Sequence, residues 1–262
     1  MNIHTFAKRK QQGQKISMVT CYDHWSARIL NDSEVDCLLV GDSLAMVMHG
    51  FDSTVHATVE MMATHTAAVA RGAPDKFIIA DMPFLSCSRG IDKGLDAVQA
   101  LMSAGANAVK IEGDTHQIEL IQRLVETGVP VMGHIGLTPQ SVHGLGGHRI
   151  QGKGEEEAQR LVNGASALES AGCFAIVIEC VPHVVGRCIS RKVNVPTIGI
   201  GAGPDTDGQV LVLHDLLGVQ PDFTPKFLRR YANSYSNISE AVNHFHHDVV
   251  EQQFPSLEES YG

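Results

Sequence analysis

The chain has no CxxC pair, no basic tract, no apolar run long enough to span a bilayer, and few aromatics, 5 % of 262 residues with a single Trp. Its six cysteines (21, 37, 87, 173, 180 and 188) show no zinc-site spacing, and a chain of this length needs no disulfide staples, so they read as reduced thiols. Twenty basic against 29 acidic side chains give a net charge of −9, which argues against nucleic acid or an anionic membrane surface as partner. The N-terminal MNIHTFAKRKQQGQK lacks the apolar segment of a signal peptide, so a soluble cytoplasmic protein is the expectation. Apolar residues at 44 % and scattered Gly and Pro exclude a disordered or collagen-like chain. What remains is a globular protein acting on a small molecule.

What is present is a regular alternation. Short runs rich in Val and Ile occupy 16–22, 37–41, 77–80, 108–111, 130–135, 174–179, 196–200 and 210–214. Seven are followed by segments of helical spacing, such as 55–72, 94–105 and 155–172, and the eighth by a less regular stretch and then a helical pattern at 236–252. Runs this short and apolar suit strands buried on both faces, as in parallel sheets. Eight strand–helix units of roughly 33 residues each predict a (β/α)8 barrel, with a doubly wound open sheet as the competitor. No linker or repeat divides the chain, which is read as one domain over 1–262, with 3–12 as a short helix closing the barrel's lower end. The Gly-rich connection 138–154 is long enough to expect a functional loop.

The strand ends carry the chemistry. Asp42 and Ser43 follow the second run, Asp81 the third, Lys110 and Glu112 close the fourth, His134 lies in the fifth and Glu179 ends the sixth. In a barrel these positions meet at the mouth where active sites are assembled. Lys110 and Glu112 are two apart and share one strand face. Four carboxylates against one lysine call for a cation, and an all-oxygen set without cysteine favours Mg2+, then Mn2+. Such an ion polarises a carbonyl and stabilises an enolate, which points to a 2-oxo acid as substrate.

The segments VGDSLAMVMHGFDST (40–54), HTAAVARG (65–72), IIADMPF (78–84), AGANAVKIEG (104–113), GHIGLTPQSV (133–142), VIEC (177–180) and PTIGIGAGPDTDGQVLVLHDLLG (196–218) closely resemble the ketopantoate hydroxymethyltransferase family. The resemblance runs from about residue 4 to about residue 232. It implies a barrel of the phosphoenolpyruvate/pyruvate type, a magnesium ion and a cyclic homo-oligomer, typically a decamer. It also implies hydroxymethyl transfer from 5,10-methylenetetrahydrofolate to 3-methyl-2-oxobutanoate, giving 2-dehydropantoate and tetrahydrofolate, at the start of pantothenate synthesis. Carried over motif by motif, Asp42 and Asp81 are the metal carboxylates, with Glu112 completing the set directly or through water. Ser43 and Lys110 hold the substrate, Glu179 accepts the proton, and His134 has a substrate-side or supporting role. The chain departs from the family pattern at His56, Thr64, His143 and His148, none of them at these positions.

Other features carry less. The GIGAG at 199–203 is not a dinucleotide fingerprint and reads as a turn, Asp205 and Asp207 read as caps, and His244, His246 and His247 as surface residues. A Mg2+-dependent carbon–carbon lyase or mutase on a 2-oxo acid is the alternative enzyme, although the KKCGH-type string of isocitrate-cleaving relatives is missing. A non-catalytic binder of an organic acid would have little use for four carboxylates facing an anion.

Overall fold

Eight parallel strands close into a barrel in chain order, the last pairing back onto the first. The computed structural model describes residues 1–262. In chain order the elements are α1 (Ile3–Gln11), β1 (Ile16–Thr20), α2 (His24–Asn31), β2 (Cys37–Val40), α3 (Leu44–Val47), α4 (Val59–Gly72) and β3 (Phe77–Asp81). They continue as α5 (Ile91–Ser103), β4 (Ala108–Glu112), α6 (Ile118–Glu126), β5 (Val131–Gly136), α7 (Glu155–Ser170), β6 (Ala175–Glu179) and α8 (His183–Lys192). The last are β7 (Thr197–Ile200), β8 (Gly208–Leu211), α9 (Leu213–Leu216) and α10 (Ser234–Val250). The chain forms two compact units, Met1–Leu211 and Val212–Gly262. The barrel domain expected over 1–262 therefore has all its strands in the first.

Side chains alternate along each strand, and the interior set obeys that period: Ile16 and Met18, Cys37 and Leu39, Phe77 and Ile79, Ala108, Met132, Ala175 and Val177, Ile198 and Val210 form one buried cluster. Extending the same parity toward the strand ends brings Asp81, Lys110, Glu112, His134 and Glu179 to the inside. At the opposite end α1 closes the barrel, as expected of the segment 3–12. Its N-cap Asn2 accepts from Thr5 N at 3.0 Å. Its buried Phe6 packs edgewise on Phe174, with centroids 5.1 Å apart, and against Phe77 at 5.7 Å.

Asp207 corrects one expectation: it caps nothing. Its Oδ2 accepts from Thr197 N at 2.8 Å and from Lys10 Nζ at 2.9 Å, so it ties α1 to the start of β7. In the second unit α10 buries no residue, and Arg230 donates to the carbonyls of Gln220, Pro221 and Phe223. No helix is long and apolar enough to cross a membrane.

Candidate active site

Strand register decides which functional side chains meet. Asp81 pairs with Lys110 across β3 and β4, Glu112 with His134 across β4 and β5, and Gly136 with Glu179 across β5 and β6. Asp42 and Ser43 come from the turn after β2. That turn is close-packed: a Cβ on Gly41 would lie 2.9 Å from Ser43 Oγ and 3.5 Å from Asp81 Oδ2, so any larger residue would push the two groups apart. Gly136, at φ +93, is equally constrained, since a Cβ there would sit 2.2 Å from the Glu179 carbonyl.

All seven residues named from the sequence gather at this mouth. Lys110 Nζ lies 3.1 Å from Asp81 Oδ1, 3.9 Å from Glu112 Oε1 and 3.0 Å from His134 Nδ1. Asp81 Oδ2 accepts from the Asp42 amide at 3.0 Å. His134 bridges two carboxylates, with Nδ1 3.4 Å from Glu112 Oε1 and Nε2 3.4 Å from Glu179 Oε2. Ser43 stands slightly apart, its hydroxyl 2.8 Å from the phenol of the fully buried Tyr22.

Burial and crowding set the charges. Burial, reinforced by the Glu112 and Asp81 charges, pushes the Asp42 carboxyl well above its ordinary value, and Lys110 and Gln140 offset this only in part. Burial raises Asp81 as well, against the pull of Lys110. Glu112 is held low: burial works against its charge, but His134 and Lys110 prevail. Burial opposes the Lys110 charge too, yet Asp81, Glu112 and Asp42 hold the ammonium. Lys110 Nζ and Glu112 Oε1 both approach His134 Nδ1, so the imidazole tautomer sets which of them it pairs with. Burial and that lysine charge oppose a second proton on the imidazole, but Glu112 and Glu179 outweigh them and raise its pKa.

Sequence reasoning missed two residues. Gln140, in the 3-10 turn Pro139–Ser141, donates through Nε2 to Asp42 Oδ2 at 2.8 Å and to the Met82 carbonyl at 2.9 Å, and its own amide donates to Glu112 Oε2 at 3.1 Å. It thus ties together the ends of β2, β3 and β4. Tyr22, which positions Ser43, is the other. Gln140 lies outside every expected strand, and Tyr22 closes the expected run 16–22 but carries no charge to mark it.

The donor set suits a hard divalent ion. Asp81 Oδ1 is buried and makes no hydrogen bond of acceptable geometry despite its nearness to Lys110, and Asp42 Oδ1 is free of hydrogen bonds. No group of three or more His, Cys, Asp or Glu side chains is arranged to enclose an ion. Both oxygens of Glu112 are engaged by Lys110, His134 and Gln140. Asp42, Asp81 and Glu112, the carboxylates expected to hold the ion directly or through water, lie together around Lys110 at this mouth. A two-carboxylate site completed by water and substrate oxygens is what Mg2+ commonly uses.

Residues 1–257 match the family model described as ketopantoate hydroxymethyltransferase. A 3-methyl-2-oxobutanoate hydroxymethyltransferase of Legionella pneumophila (strain Lens) is 52% identical over 262 residues, 100% of both chains. One from Coxiella burnetii (strain Dugway 5J108-111) is 52% identical over 98% of this chain and 97% of its own, and one from Bdellovibrio bacteriovorus is 51% identical over 98% of each. In fold the chain is similar to a phosphonopyruvate hydrolase solved with oxalate and Mg2+ (TM-score 0.64, 14% identity, 99% of this chain and 93% of that one). It is also similar to 2,3-dimethylmalate lyase of the PEP mutase/isocitrate lyase superfamily (TM-score 0.62, 17% identity, 99% and 91%). The lyase and hydrolase likenesses establish the barrel type alone, whereas the full-length identities establish an enzyme and its kind: the chain belongs to the ketopantoate hydroxymethyltransferase family.

Proposed function

We propose that the barrel mouth transfers a hydroxymethyl group from 5,10-methylenetetrahydrofolate to 3-methyl-2-oxobutanoate, with Glu179 as the base that forms the enolate. The observation that carries this reading is a difference in exposure. The Glu179 side chain is 18% exposed, against 4% for Asp81 and 6% for Glu112, so it is the carboxylate open to an arriving carbon acid. His134 Nε2 lies 3.4 Å from Glu179 Oε2.

Asp42 and Asp81 would hold Mg2+, for which Mn2+ could substitute, and Glu112 would reach it through water. When bound, the ion supplies Lewis-acid polarisation of the 2-oxo group. Lys110 would face the substrate carboxylate or the negative charge developing on the keto oxygen, a role suited to a cation fixed by its neighbours before substrate arrives. Ser43, oriented by Tyr22, would donate to a substrate oxygen. In the reaction the C3–H bond breaks and its proton passes to Glu179. The carbon pair bonds the one-carbon unit, the carrier's carbon–nitrogen bonds break with their electrons left on nitrogen, and water supplies the hydroxyl oxygen. The reading extends to the first step of pantothenate synthesis, carried out in the cytoplasm by a homo-oligomer, a decamer on the family resemblance.

The test is formation of 2-dehydropantoate from the purified chain with Mg2+, the oxo acid and the folate. Product that depends on all three supports the proposal, and its absence with active folate and metal overturns it.

A further inference from the structure

Beside the carboxylate cluster the segments after β3 and β4 and the turn after β5 enclose a cavity of about 120 Å3. Met82, Phe84 and Ile111 supply apolar walls, and Gln117 and Gln140 line it with side-chain amides. Gln140 is at the same time the residue that grips Asp42, so the cavity and the metal-binding pair share a wall. The Gln117 residue is only 6% exposed, yet its side-chain amide makes no hydrogen bond within the chain. The amide is not sealed off: it lines the cavity, where a polar partner can pair with it.

The chemistry of that partner follows from the lining. A primary amide presents an acceptor and a donor side by side, the complement of a lactam edge in which N–H and C=O are adjacent. The apolar walls suit the faces of a flat ring. Glu112, also at the edge of the cavity, disfavours a second anion there, so the oxo acid is a poor occupant. The volume admits one small fused ring, and any tail must leave over the exposed Phe84 and Leu85.

The geometry points to this cavity as the seat of the pterin ring of the one-carbon donor, with its lactam edge on Gln117, an inference that rests on the folate-dependent transfer proposed above. The carrier then lies one residue away from the cluster that holds the oxo acid, as direct transfer of a one-carbon unit requires.

Two substitutions test it in the full chain with Mg2+, read by calorimetric titration with tetrahydrofolate. Gln117→Leu keeps the bulk of the side chain and removes both hydrogen-bonding groups. Ser88→Trp, at an exposed position on the rim, blocks the cavity without touching the buried amide. We expect tetrahydrofolate affinity to fall about ten- to a hundredfold in each. Folate-free exchange of the oxo acid's C3 proton should stay at the parent rate, which also certifies the fold. Parent-like tetrahydrofolate binding in both variants overturns the assignment of the cavity alone. Failure of tetrahydrofolate to bind the unaltered enzyme, with exchange intact, overturns the folate reading and the cavity with it.

Discussion

Lys110 and Asp81 face each other from paired positions on β3 and β4, 3.1 Å apart and each only 4% exposed in its side chain. An ion pair this deep stabilises little in net terms, because desolvation consumes most of the Coulombic attraction, but removing one partner strands the other. Here the stranded groups would be three carboxylates, since Glu112 and Asp42 act on the same lysine.

Lys110→Met keeps the stem and removes the charge. Without metal the variant should lose about 3–5 kcal/mol of stability, and Mg2+ should restore part of it by replacing the missing positive charge. Its kcat/KM should drop about ten- to a hundredfold. Thermal melts with and without Mg2+ decide the point. A variant that melts like the parent in chelator would show that the lysine does not compensate the cluster.

Asp81 and Glu112 should separate in metal titrations. Asp81→Asn removes a buried carboxylate charge, and Mn2+ affinity followed by electron paramagnetic resonance should fall at least about tenfold. Glu112→Gln, whose oxygens are engaged by Lys110, His134 and Gln140, should lose only a few-fold. Equal losses would put Glu112 in direct contact with the ion.

How much of this was legible in the sequence depends on range. Lys110, Glu112, His134 and Glu179 were found because period-two alternation is local and strand ends are marked by the first polar residue after an apolar run. The eighth strand was placed at 210–214 but occupies Gly208–Leu211, because the run VLVLHDLL continues unbroken from β8 into α9 and periodicity cannot mark the boundary. Gln140 reaches Asp42 across 98 residues of chain, and no local pattern encodes such a contact. The arrangement of the carboxylates was hidden for a related reason. Charge counting required a cation, but only the backbone amide of Gln140 and the register of β4 on β5 reveal that Glu112 is already engaged.

Asp215, in α9 of the second unit, gives a pH test remote from the chemistry. Burial raises its carboxyl to about 6 from 3.8, against the opposing charge of Arg230. Between those two values the folded state holds a proton that the unfolded state has lost, so stability falls as pH rises through that window. Asp215→Asn should be more stable than the parent by about 1–2 kcal/mol at pH 8 and equal to it near pH 3.5. Melting curves across this range check the sign. A variant less stable than the parent at pH 8 would mean that the ionised carboxylate is favourably paired.

The most direct measurement is exchange of the C3 proton of 3-methyl-2-oxobutanoate in deuterated water, with Mg2+ and without folate, followed by proton NMR. With Glu179 as base, the parent should exchange the proton, since enolisation precedes carbon–carbon bond formation. Glu179→Gln keeps the size of the side chain and should still bind Mg2+, yet lose about 10²–10⁴-fold in exchange rate, the range of one general base. Undiminished exchange in the variant would contradict the assignment and move the base to another residue, with His134, 3.4 Å away, the first candidate.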